Sequence, residues 1–206
     1  SCREVFSMTE SKADIRKQSQ CERILEASRR CFVQHGFHSA SMAMISEPAG
    51  MSPGLINRYF KNKNAIILAI VEAQLEVVKS RISVMRNTDD LAAALVDYFE
   101  PHDDDERNDS VNAPLFLEIS AEATRDPEIR KAVHHVDEVV REATVEWFHR
   151  SPDAGGYGFP LGEARDRALA LILLVDGLKA RKAREPDLDR RRLKSAIDLM
   201  VAAVTA

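Results

Sequence analysis

The residues readiest for chemistry lie in one short stretch, Ser52-Pro53-Gly54-Leu55-Ile56-Asn57-Arg58-Tyr59, with Lys61 and Lys63 just beyond it. Ser52 is a good helix N-cap and Pro53 suits the first helical position, so the spacing predicts a short helix over residues 53–59. A helix N-terminus carrying a hydroxyl can meet a phosphate, and small residues at Pro53 and Gly54 let the backbone approach base edges. Arg58 can pair with guanine or phosphate, and Asn57 with adenine. Lys61 and Lys63 extend a phosphate-binding edge. The competing reading of these polar residues is a solvated helix face, as charged runs usually are.

No comparable constellation supports catalysis. His134 and His135 are adjacent, diverge by about 100° on a helix and cannot readily share one metal. No HExxH, GxSxG or phosphate-cradling glycine loop occurs, so neither an enzyme nor a cofactor or metal is expected. His35 and His38 flank a loop where they would touch a DNA backbone or nothing. Cys2, Cys21 and Cys31 form no CxxC pair, and Cys21 and Cys31 lie too far apart on one helix to bridge. A reducing compartment fits, with Cys31 a small apolar filler and a redox sensor as the alternative. The acidic run 102–109 reads as a solvated loop, with a cation site as the alternative.

The elements that must position these residues are all helical. Apolar residues recur at helical spacing nearly everywhere, and no stretch alternates with period two for long enough to make a strand. About nine helices are expected, with the first over 18–35 stopped by Gly36, and short ones over 42–47 and 53–59. Ser41 caps the second, Ala49 and Gly50 allow the turn, and Ile45, Leu55 and Phe60 should share a small core with Phe32 and Phe37. Pro48, late in the second helix, should end or kink it there. A fourth helix over 64–86 is roughly 35 Å long. Others follow over 90–100, 113–124, from Pro127 to at least Trp147, 163–184 and 188–204, with a flexible connection over 151–162. The run 168–175 is apolar nearly all round, more than one chain this size can cover. The last two helices therefore read as half of an intermolecular four-helix bundle, with Leu169, Ile172, Leu173, Gly177, Leu193, Ile197, Met200 and Val204 at a homodimer interface.

Charge divides the chain. The 206 residues carry a net charge of −4, yet residues 1–64 sum to +4 and the remainder to −8. A basic end on an acidic protein suits a localised polyanion-binding face. With 30% charged residues, no apolar run long enough to span a bilayer and no visible secretory signal, a cytoplasmic protein that does not enter membranes is expected.

On Arg23-Ile24-Leu25, Phe32, Gly36-Phe37, Ile45, Ala49-Gly50, Ser52, Gly54, Tyr59-Phe60 and Lys63, this chain resembles the DNA-binding domain of the TetR family. The resemblance implies an all-α fold in which residues 1–15 are a tag or disordered arm, 16–63 the helix-turn-helix domain and 64–206 an effector-binding and dimerisation body. It further implies a dimeric repressor on palindromic double-stranded operator DNA. Ser41, Met42, Ser52, Pro53, Gly54, Asn57, Arg58, Tyr59, Lys61 and Lys63 would be the DNA-contacting set. Asn57 departs from the aromatic usual at its position, which should alter operator preference.

Family likeness also places a small-molecule effector among helices four to eight, and 118–127 resembles a stretch found in one subset. Met85, Tyr98, Phe99, Phe116, Glu118, Glu122, Trp147 and Asp176 are the candidate lining. Core packing is the alternative for the aromatics, and a solvated ion-paired face for Glu118 and Glu122. Asp176 follows an apolar run and requires a partner, such as Lys179, Arg181 or a residue of a dimer mate. If the acids face the cavity, a cationic, hydrophobic effector is favoured. Its binding would shift the long fourth helix and the separation of the two recognition helices. The alternative is a DNA-binding helical dimer without an effector.

Overall fold

A computed structural model describes residues 12–88, 90–99 and 112–206, and among these every regular element is helical. The helices are α1 (Lys12–His35), α2 (Met42–Ala49), α3 (Pro53–Tyr59), α4 (Lys63–Arg86) and α5 (Leu91–Phe99). They continue with α6 (Ala113–Ala123), α7 (Pro127–His149), α8 (Leu161–Arg184) and α9 (Arg190–Thr205). The acidic run and most of the expected N-terminal arm fall outside the described residues.

The described chain forms two compact units. One comprises the residues up to Gln74 with Glu118–Val133, and the other Leu75–Leu117 with His134–Ala206. The boundary thus departs from the expected cut at residue 64. The ends of α6 and α7 that meet in the Asp126 turn group with the helix-turn-helix rather than with the rest of the body.

In the first unit, α1 begins six residues before the expected start and stops at Gly36, whose φ of 74° is the left-handed conformation that glycine tolerates. Phe32, Ile45, Ile56 and Phe60 are buried together with Phe37, which meets Phe32 edge to face at 5.3 Å. Ile56 takes the place expected for Leu55, which is only half-buried. In a helix of two turns a one-residue error selects the wrong face. Pro48 neither ends nor truncates α2. The helix runs through it to Ala49 and closes on Gly50 at φ 60°, with the Gly50 N–H donating to Glu47 O. So near the C-terminus the missing N–H costs one hydrogen bond, and buried Ile45 and Ala49 hold the last turn in place.

The second unit packs α5 and α8 against α9 around Leu91, Leu95, Ala168, Leu171, Leu193 and Ile197. Three residues expected at a homodimer interface are part of this internal core. Leu193, Ile197 and Val204 lie, with buried Val201 between the last two, at four- and three-residue spacings on the stripe of α9 that faces its own chain, and are 9%, 0% and 8% exposed. Leu169, Leu173 and Met200 point outward, together with Leu199 and Gly177, while Ile172 is half-buried. Nor is the connection over 151–162 merely flexible. It contains a 3-10 turn (Pro152–Ala154), and the N–H groups of Gly158 and Phe159 donate to Arg150 O and Phe148 O. Tyr157 and Phe159 stack at 5.8 Å and close over Phe148. The aromatic residues outweigh the glycines and proline because burying them more than offsets the order they impose.

Candidate nucleic-acid interface and sensing residues

Ser41 and Ser52 cap the two short helices as their types demand, accepting from Met44 N and Leu55 N, each at 3.2 Å. The turn between them is fastened by Arg23, a residue whose capping role local reading missed. Its guanidinium crosses from α1 to donate to Ala49 O at 2.7 Å, supplying the end of α2 with a charged donor. Only a fold that brings residues 26 apart in sequence together reveals this.

Against that support, α3 presents Ser52, Pro53, Gly54, Asn57 and Arg58 to solvent, with Tyr59 half-buried and Lys61 exposed beyond. A Cβ built on Gly54 would meet nothing within 4 Å, so this fold does not itself require glycine there. Arg58 and Lys61 form no ion pair among the described residues. An exposed cation in the last turn of an exposed helix, or just beyond it, can meet phosphate oxygens or a base edge at little desolvation cost. Met42, at the start of α2, is half-buried.

Lys63 departs from expectation. Its ammonium donates to Phe37 O at 2.7 Å, His38 O at 3.0 Å and Ala40 O at 2.6 Å, and lies 4.8 Å from the Phe37 ring centroid. All three of its donors are used inside the first unit, tying the 36–40 loop to α4, so it is not a free phosphate ligand. Cys31 nearby is buried and unbridged, and burial pushes its thiol up, with Lys63 opposing more weakly. A raised thiol is a poor nucleophile, which favours the filler reading over a redox sensor.

The sensing candidates divide between the two units. Glu118 and Glu122, expected among the effector lining, belong to the first unit. Glu118 Oε2 accepts from Phe37 N at 2.9 Å, and Glu122 Oε1 lies 3.0 Å from His38 Nε2 and 3.3 Å from Arg125. Helical spacing correctly placed both on one face of α6, but what that face meets is decided by a loop 81 residues earlier. Trp147 is buried in the aromatic core, with ring centroids 5.2 Å from Phe148 and 5.7 Å from Tyr157. Phe99 is buried, Met85 packs at the edge of the core, and Tyr98 lies under the Arg81 guanidinium at 4.4 Å.

Phe116 and Asp176 do come together. Lys179 Nζ is 3.0 Å from Asp176 Oδ1 and 4.6 Å from the Phe116 centroid. Asp137, on the exposed side of α7, adds a second carboxyl, pushed above its usual range by partial desolvation and then by Asp176, against the opposing pull of Lys179, His134 and Arg141. His134 and Arg141 are shared with Glu138, at 3.4 Å and 4.0 Å. Two carboxyls and an aromatic face thus gather around one ammonium, that of Lys179.

Comparison with known proteins agrees with this geometry. Residues 24–70 match the profile of bacterial regulatory proteins of the tetR family, and residues 88–206 that of the BetI-type transcriptional repressor C-terminal domain. The chain is 29% identical over 134 residues to the HTH-type transcriptional repressor AcnR of Corynebacterium efficiens, covering 65% of this chain and 66% of that one. It is 27% identical to the HTH-type transcriptional regulator BetI of Pseudomonas fluorescens, covering 81% and 82%. A regulator from Saccharomonospora viridis, crystallised with choline, shares the fold at a TM-score of 0.69 and 18% identity, over 90% of this chain and 96% of that one.

Proposed function

Because the chain belongs to the TetR family of DNA-binding transcriptional repressors, which are not enzymes, we propose that it binds a palindromic operator as a homodimer and is released by a small organic cation. The observation that carries the DNA half is the exposed Ser52, Gly54, Asn57 and Arg58 face of α3, backed by buried Ile45, Ile56 and Phe60. Rigid backing lets a short helix hold its side chains at the depth of a major groove. Arg58 and Asn57 read bases, while Ser52 and Lys61 meet phosphates.

Footprinting on the DNA adjoining its own coding region, followed by titration of variants, tests this. Arg58→Ala should weaken binding by about 1–3 kcal/mol and relax sequence preference, and Lys61→Ala should reduce the salt slope by about one. Unchanged affinity and salt slope in both variants would refute α3 as the reading element.

The effector half is supported by the Phe116, Asp137, Asp176 and Lys179 cluster, and by the choline held by a neighbour of the same fold. Binding there would favour one of two arrangements, and a preference of a few kcal/mol suffices to change occupancy of DNA. A panel of organic cations, organic anions and neutral compounds, read as a shift in melting temperature, is the test; stabilisation by anions or neutral compounds alone refutes a cationic effector. No helix among the described residues is long and apolar enough to cross a membrane, and we place the protein in the cytoplasm with its DNA.

A further inference from the structure

The loop that starts the helix-turn-helix is gripped from two sides. On one side Lys63 draws in the carbonyls of Phe37, His38 and Ala40. On the other, two carboxylates one turn apart on α6 take hold of successive residues, Glu118 the Phe37 N–H at 2.9 Å and Glu122 the His38 imidazole at 3.0 Å. Glu122 is only 5% exposed, which makes its loss of a partner costly. Beyond α6, Asp126 accepts from Asn64 at 2.6 Å and caps α7 through Glu128 N and Ile129 N, so the carboxylates stand on a stiff base.

We propose that Glu118 and Glu122 are positioning residues for DNA binding, holding the 36–40 loop in the conformation from which α2 and α3 are presented. The inference goes beyond the assignment of α3 to the operator while resting on it. Neither glutamate touches DNA or effector. Preorganising the loop saves the order that would otherwise be lost on binding. Around the His38–Glu122 contact stand Arg125 at 3.3 Å from Glu122, Glu118 one turn back, and Lys63 on His38 O, so both partners of the contact are held in place.

The test uses the full chain and a duplex selected by it from a random-sequence library. Without DNA, hydrogen exchange of the Phe37 amide should be about tenfold faster in Glu118→Ala and restored in Glu118→Gln, whose amide oxygen still accepts. Operator affinity should fall about tenfold in Glu118→Ala and recover in Glu118→Gln. Operator affinity should also fall about threefold in Glu122→Ala and recover in Glu122→Gln, whose amide oxygen still accepts from His38. A Phe37 amide equally protected in Glu118→Ala overturns the grip. Operator affinity unchanged in Glu122→Ala overturns it too. Selection that enriches no duplex refutes the α3 assignment and the positioning role with it, whereas amide exchange reports on the contact alone.

Discussion

Lys63 carries an ammonium to the point where three carbonyls converge, and a residue count cannot distinguish that from a cation waiting for phosphate. Both uses need a lysine shortly after α3; only the closure of the 36–40 loop onto α4 selects one. Lys63→Met should lower stability by about 2 kcal/mol in urea denaturation, as expected for charge-assisted hydrogen bonds partly shielded from water. Lys61→Met, at an exposed site, should leave stability within about 0.5 kcal/mol. Asp137 gives a second prediction. Its carboxyl is raised in the folded state, so the fold binds that proton more tightly than the unfolded chain does. The associated stability is present below the ordinary aspartate range and is lost as pH rises through the raised value. Asp137→Asn should therefore stabilise the protein at pH 7, with the advantage vanishing near pH 3, as read from denaturation midpoints at the two pH values.

At the level of elements, helical periodicity carried most of the order of the fold. Caps at Ser41, Ser52 and Asp126 act through backbone groups only a few residues away, and such short-range chemistry is legible in sequence. Pro48 shows its limit, because whether a proline breaks a helix depends on how much helix follows and on what buries the turn. Pro48→Ala restores a donor for Met44 O in a turn already held by Ile45 and Ala49. It should raise stability by about 1 kcal/mol without changing which duplex is selected, as checked by melting and binding assays. The segment over 151–162 was legible as a connection but not as part of a core. Tyr157 and Phe159 gain their burial from Phe148 and Trp147, partners that local composition does not disclose.

For the whole molecule, α8 and α9 divide their apolar residues between two uses. Leu193, Ile197 and Val204 are consumed within the chain, while Leu169, Leu173, Leu199 and Met200 stay 48–77% exposed. A second copy covering that face would bury what one chain leaves open. Leu173→Glu should convert a dimer to a monomer in sedimentation and weaken operator binding at least tenfold, because one half-site is then held at a time. Melting of the variant monomer should show a cooperative transition, since Leu173 lies outside the core around Ile197.

Sequence by itself determined the helical class, the position of the helix-turn-helix and the exposed polar face of α3, because these follow from spacing, caps and charge acting over a few residues. Tertiary structure alone decided which cations and carboxylates find partners. Lys63, Glu118 and Glu122 hold the 36–40 loop, and Phe116 meets Asp176 through Lys179, because chain reversal brings together groups 23 to 84 residues apart, or sets one side chain of a helix over an aromatic ring from another.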